Sequence, residues 1–237
     1  MTDRPVALIT GASRGLGRAL ARSLAADGWH LVIDARGAAA LEEAAAELRS
    51  AGAAGVDALA GDVADPAHRH RLVDAVERLG RLDALVNNAS VLGPSPQPPL
   101  ADYPLDVLRQ VYEVNTVAPL ALTQAALPLL ERSGGRVVDV TSDAAVEGYE
   151  GWGGYGSSKA ALEQLNNVLA AEHPALRVYR VDPGDLRTQL HAEAFPGEDI
   201  SDRPEPSEVV PALRRLLTER PPSGRVRAAD MRGAVTS

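Results

Sequence analysis

The sequence predicts one doubly wound α/β domain spanning residues 1–237, a mostly parallel sheet with helices on both faces. Three observations predict it. Short apolar β-type runs alternate with amphipathic Ala- and Leu-rich segments along nearly the whole chain, the pattern of repeated βα units joined by right-handed crossovers. The length of 237 residues suffices to bury one substantial core without a second domain. Finally, the first apolar run leads directly into a glycine-rich turn and a helix, the entry of a Rossmann-type unit.

The elements follow in order. PVALIT precedes a helix over 15–27, HLVID one over 38–50, and VDALA one over 66–79. DALVNN leads into a long helical stretch over 104–132, RVVDVT into a helix over about 155–172, and RVYRVD into a loop. A last helix over 207–218 precedes a short strand, GRVRAA. Gly28 and Gly52 fall where helices end. The proline-rich stretch 94–99 and the segment 191–206 read as loops, because proline denies ladders and helices their donors. Both follow strand ends, where open α/β sheets bind ligands.

Composition narrows the function. A net charge of −8 sets the overall field against nucleic acid. Cysteine is absent, so disulfides and thiolate metal sites are excluded, and a reducing compartment fits. The apolar stretch within 1–10 is too brief for a secretory signal, and no run of about 20 apolar residues follows. A cytoplasmic protein without membrane or nucleic-acid partners is expected. Of 24 basic side chains, only Lys159 is lysine. A compact ammonium with an adjustable pKa does what a flat guanidinium cannot, so Lys159 is a functional candidate; a surviving surface lysine is the plainer alternative.

The turn TGASRGLG places Gly11, Ser13, Arg14, Gly15, Leu16 and Gly17 where backbone and helix N-terminus suit a pyrophosphate. Its GxxxGxG spacing resembles the short-chain dehydrogenase/reductase family, and the resemblance runs from about Val6 to Thr188 with later motifs in the family's order. It implies an NAD(P)-dependent oxidoreductase moving a hydride between a nicotinamide and a carbonyl or hydroxyl carbon of a small molecule, without a metal. Asp62 and Val63 match the pair at the adenine. NNAS at 87–90 matches NNAG, with Asn88 and Ala89 along the adenine ribose and Ser90 in place of the usual Gly. Pro183, Gly184, Leu186 and Thr188 match the segment that binds the nicotinamide carboxamide.

The resemblance also supplies the catalytic set. Ser142 follows RVVDVT, and YGSSK thirteen residues later contains Tyr155 and Lys159 on one helix face. In the family the serine binds the substrate oxygen, the tyrosine transfers the proton, and the lysine contacts the nicotinamide ribose and lowers the tyrosine pKa. Asn115 occupies the fourth catalytic position, and its carbonyl holds a relay water. Pro119, four residues later, has no N–H for that carbonyl. Asp139 stands where Asn is common.

Cofactor choice depends on the end of the second strand. One register places Ala35 at the usual acidic position with Arg36 next and Arg14 nearby, favouring NADP. A shift by one residue places Asp34 there, favouring NAD. The likeness to nucleotide-sugar epimerases is weaker, since their GxxGxxG and longer C-terminal region are missing. A cofactor-sensing regulator binding NADP without turnover is the alternative from another class, although such proteins tend to lose the Tyr or Lys. The substrate pocket is expected between 91–100, 148–152 and the loop after Thr188, where Tyr149 and Trp152 face an apolar substrate or pack as lid. A homo-oligomer is expected, with the atypical SGRVRAADM ending leaving its order open.

Overall fold

The computed structural model describes residues 2–231; Met1 and 232–237, the ends of the expected single-domain span, lie outside the described residues. Seven parallel strands form one sheet: β1 Val6–Ile9, β2 His30–Ala35, β3 Gly55–Ala60, β4 Ala84–Asn87, β5 Arg136–Val140, β6 Arg177–Asp182 and β7 Gly224–Arg227. Their order is β3-β2-β1-β4-β5-β6-β7. The chain therefore runs outward from β1 in both directions, and the β1/β4 boundary is the switch point beyond whose C-terminal ends ligands bind in such sheets.

Strand side chains alternate between two cores, as the pleat requires. Ala7, Ile9, Leu31 and Ile33 join the core under helices α1 (Gly15–Ala26), α2 (Ala38–Ser50) and α8 (Val210–Glu219). Val6, Leu8 and Val32 join the opposite core under α3 (Pro66–Leu79) and α5 (Ala118–Ser133). Leu8 is fully buried, and truncation of such a leucine costs about 2–5 kcal/mol. α6 (Gly153–Glu172) continues the layer over β6 and carries Tyr155 and Lys159.

Two expectations need correction. The helix expected over 104–132 is split into α4 (Leu105–Tyr112), a π-helical turn at Glu113–Val117, and α5. Pro119 can neither donate to the Asn115 carbonyl nor leave it uncrowded, and the backbone widens so that Ala118 N–H donates to Glu113 O, five residues back. The segment 191–206 is also not all loop. A short helix α7 (Gln189–Ala194) opens on a Thr188 cap, whose hydroxyl accepts from His191 N at 3.3 Å. The prolines that suggested a loop begin only at Pro196, after the helix has ended.

Candidate active site

A cleft of about 1370 Å³ runs across the C-terminal ends of the strands. Gly11, Ser13, Arg14, Gly15, Leu16, Arg36, Asp62, Val63, Asn88, Ala89, Ser142, Tyr155, Lys159, Pro183, Gly184, Leu186 and Thr188 all line it. Gly17 and Asn115 do not. A Cβ on Gly17 would lie 2.5 Å from Asn88 Nδ2 and 2.7 Å from Gly11 O, so this glycine seats α1 against the sheet. The Asn115 side chain is likewise buried and serves the scaffold.

At one end the turn after β1 is shaped for a phosphate. Gly11 and Gly15 have φ of +67° and +56°, a region that favours glycine. A Cβ on Gly11 would come within 2.9 Å of Ala89 Cα. Arg14 is the N-cap of α1 but provides no side-chain cap, so the opening amides of the helix remain for an external anion. These residues fit a dinucleotide pyrophosphate. The Thr10 hydroxyl, which sequence reasoning missed, accepts both Asn88 N and Ala89 N at 3.0 Å and ties the ends of β1 and β4 together.

Asp34 does not project into the cleft as a free acceptor. It is 1% exposed; its Oδ1 accepts Gly11 N–H at 2.8 Å, and its Oδ2 lies 3.0 Å from His68 Nε2. Arg71 donates to His68 Nδ1 at 2.9 Å, so Nε2 carries the proton toward Asp34. Arg36, the next residue but one, is exposed at the cleft edge. Arg14 contacts Gln189 of α7.

At the other end, Ser142, Tyr155 and Lys159 meet. Lys159 Nζ donates to Val140 O at 2.8 Å and lies 5.7 Å from the Tyr155 ring centre. Burial lowers Lys159 to about 8 against the opposing carboxylate of Asp139. Burial pushes the Tyr155 phenol up to about 12, with the nearby hydroxyls of Ser90 and Ser142 pulling the other way. Desolvation sets the direction of the shift, because the phenol lies among apolar side chains and the Lys159 ammonium is directed to a carbonyl. Ser142 Oγ donates to Asp143 Oδ1 at 2.9 Å.

Supporting residues surround this set. Asp139 accepts Asn87 Nδ2 and Asn166 Nδ2, each at 2.6 Å. Arg225 of β7 donates to Ser142 O at 3.1 Å, Glu163 Oε1 at 3.0 Å and Asp182 Oδ2 at 3.1 Å. No motif pointed to Arg225, one of two arginines in the four-residue last strand GRVR. Trp152 packs edge-on to Tyr155 at 5.7 Å and lies 5.8 Å from Phe195 of the lid segment. Tyr149 stays outside the lining, donating to Asp143 Oδ2 at 3.1 Å. Among the described residues, no group of three His, Cys, Asp or Glu is arranged to hold a metal, and no helix is long and apolar enough to cross a membrane.

A sequence profile described as short chain dehydrogenase matches residues 5–199. The chain belongs to the short chain dehydrogenase family. Sepiapterin reductase of Mus musculus is 36% identical over 200 residues, covering 78% of this chain and 76% of that protein. An alcohol dehydrogenase from the archaeon Thermococcus sibiricus, complexed with 5-hydroxy-NADP, superposes with a TM-score of 0.85 at 32% identity, covering 95% of this chain and 96% of the other. A short chain dehydrogenase from Escherichia coli CFT073 complexed with NADPH gives 0.87 at 31% identity, covering 96% and 97%. This short chain dehydrogenase is an oxidoreductase, and its intact Ser142, Tyr155 and Lys159 set it apart from a non-catalytic cofactor sensor.

Proposed function

We propose that the protein prefers NADP(H) to NAD(H) and interconverts a carbonyl and an alcohol on a small, largely apolar substrate. The observation that carries the cofactor preference is the engagement of Asp34. The carboxylate is buried, with Oδ1 on Gly11 N–H and Oδ2 toward His68, which makes it a poor acceptor for a ribose 2′-hydroxyl, while Arg36 at the cleft edge suits a 2′-phosphate. The Thermococcus sibiricus and Escherichia coli relatives named above, crystallised with NADP-type molecules, support the same reading.

When bound, the nicotinamide supplies or accepts the hydride. The α1 amides and Gly11 would hold the pyrophosphate, Asp62 and Val63 the adenine, and the 183–188 segment and Lys159 the nicotinamide end. Ser142 turns its hydroxyl from Asp143 to the substrate oxygen. Tyr155 gives that oxygen a proton in reduction and takes it in oxidation. Leu92, Trp152 and Leu190 beside Tyr155 provide an apolar wall that excludes water from the proton transfer. With the phenol held near 12 by burial, reduction begins from the protonated form required of an acid. Oxidation needs the added positive charge of an oxidised nicotinamide.

The protein is further read as cytoplasmic and self-associating. The absence of cysteine supports the first. Leu105, Val117 and Val168, exposed on or beside adjoining helices, support the second; light scattering measures it directly. The decisive experiment titrates NADPH and NADH and follows oxidation of each against ketones, aldehydes, quinones and acyl thioesters. NADPH is expected to bind at least tenfold tighter, with the difference lost in Arg36→Ala, and Tyr155→Phe is expected to abolish turnover with cofactor affinity unchanged. An equal response to NADH, unaltered in Arg36→Ala, would refute the preference.

A further inference from the structure

Ser142 stands just past the last ladder bond of β5, in which Thr141 N–H donates to Val181 O at 2.8 Å. Its carbonyl accepts Ala145 N–H at 3.1 Å, and its hydroxyl donates to Asp143 Oδ1 at 2.9 Å and accepts Ala144 N–H at 3.2 Å. These bonds travel with the turn and do not fix where the turn sits. A donor from another element does. Arg225 of β7 directs Nη2 to Ser142 O and to Asp182 Oδ2, each at 3.1 Å, and Nε to Glu163 Oε1 at 3.0 Å. Each acceptor belongs to a different part of the site. Glu163 lies on α6 one turn beyond Lys159 and also accepts the Thr141 hydroxyl at 2.7 Å. Asp182 Oδ1 accepts Gly184 N–H at 3.0 Å, at the start of the 183–188 segment. Both carboxylates are buried.

We propose that Arg225 is a positioning residue for Ser142, a single guanidinium that fixes the serine main chain relative to the helix carrying Tyr155 and Lys159 and to the 183–188 segment. A guanidinium presents its donors in a rigid planar fork, so the spacing of the three acceptors is set by the shape of one group. An ammonium in its place could neutralise Glu163 and Asp182, but its donors radiate from one atom on a flexible stem and cannot reproduce the separate reaches of Nε and Nη2. Charge and shape are therefore separable at this position. Shape matters here because the Ser142 hydroxyl must meet the substrate oxygen while Tyr155 is within reach of it, and a misplacement of about 1 Å can cost about a hundredfold in rate. Arg227, two residues on, is exposed and reaches Asp182 Oδ2 only at 3.9 Å, so it does not share the task. The SGRVRAADM ending, atypical of the family, thus contributes a residue to the site.

The inference rests on the carbonyl–alcohol reading for the role of Ser142, so one measurement needs no turnover. In the full chain, serine is labelled with heavy carbon at its carbonyl and aspartate with heavy nitrogen. Two Ser–Asp pairs then give NMR signals, 142–143 and 201–202, and Asp202→Asn removes the second. In Arg225→Lys the Ser142 carbonyl signal is expected to move upfield, as a carbonyl does on losing a donor. In the same variant NADPH affinity should hold within about twofold while kcat falls about tenfold to a hundredfold. In a Ser142→Ala background the lysine should subtract less than about twofold more, since Arg225 acts through that serine. Arg227→Lys should keep the wild-type kcat, and Arg225→Ala should regain turnover with added ethylguanidinium but not with ethylammonium. An unmoved carbonyl signal or full kcat in Arg225→Lys overturns the proposal. So does a loss as large in the Ser142→Ala background as in wild type, or an equal loss in Arg227→Lys. A moved signal in a protein that turns over no carbonyl or alcohol would keep Arg225 as the anchor of Ser142 and defeat the carbonyl–alcohol reading instead.

Discussion

Asp34 near the end of β2 and Asp139 in β5 are the same residue at the same depth, each 1% exposed and each driven upward in pKa by burial. Their surroundings give them different work. Asp34 faces Gly11 N–H and a histidine whose other nitrogen is occupied by Arg71, so every proton around it has a fixed place. Asp139 faces two side-chain amides and, beyond them, the buried ammonium of Lys159. One carboxylate locks the shape of the glycine turn after β1; the other sets the charge balance around Lys159. A buried carboxylate is therefore read from what its donors can do if it changes.

The sharpest break of this comparison is one substitution made at both sites. Asp34→Asn turns an NH₂ toward His68 Nε2–H or toward Gly11 N–H, and neither donor can reverse. A loss of about 2–4 kcal/mol in unfolding free energy is expected, measured by urea denaturation, with weaker cofactor binding. Asp139→Asn should cost less than about 1.5 kcal/mol, because Asn87 has a buried Oδ1 without a partner and can flip to meet the new NH₂. Equal losses at the two sites would mean that donor arrangement does not distinguish them.

The second effect lies in pH. Burial has already lowered Lys159 to about 8, with Asp139 holding it up. Removing that negative charge favours the neutral amine, so in Asp139→Asn the alkaline loss of turnover should move to lower pH, by about one unit. A pH profile of kcat decides it; an unmoved limb would show that Asp139 acts on Lys159 only through shape.

The smallest effect concerns the π turn between the two regions. Pro119→Ala supplies an N–H that can reach Asn115 O and draw Glu113–Val117 toward regular helix. Turnover should fall by about twofold to fivefold, cofactor affinity should hold, and thermal stability should rise slightly. Full turnover in a variant whose structure contains the new bond would remove the Asn115 carbonyl from the proton path.

The sheet was legible because strands such as VALI and ALVN are compact apolar runs and the long helices between them bury an apolar face. The cleft was legible because Gly11, Asn88, Ser142, Tyr155 and Lys159 stand at recognisable spacings. What escaped depended on contacts far apart in sequence. Neither the register of β2 nor the burial of Asp34 could be chosen without His68, 34 residues on. The π turn was foreseeable only as a missing bond at Pro119, not as an extra residue per turn. Ser90 was visible as a departure from the family pattern, but its bond to Asn115, 25 residues on, exists only once the elements pack.

Arg225 has a consequence for the growing chain. The peptide oxygen of Ser142 is gripped by a guanidinium 83 residues later, beyond the stretch that matches the family profile. During synthesis the glycine turn, the tyrosine and the lysine all emerge before that arginine exists. A chain halted before β7 lacks the guanidinium that holds the Ser142 carbonyl, and Glu163 and Asp182 remain as two inward carboxylates without that cation. Completion of the site is thereby tied to completion of the sheet's final edge.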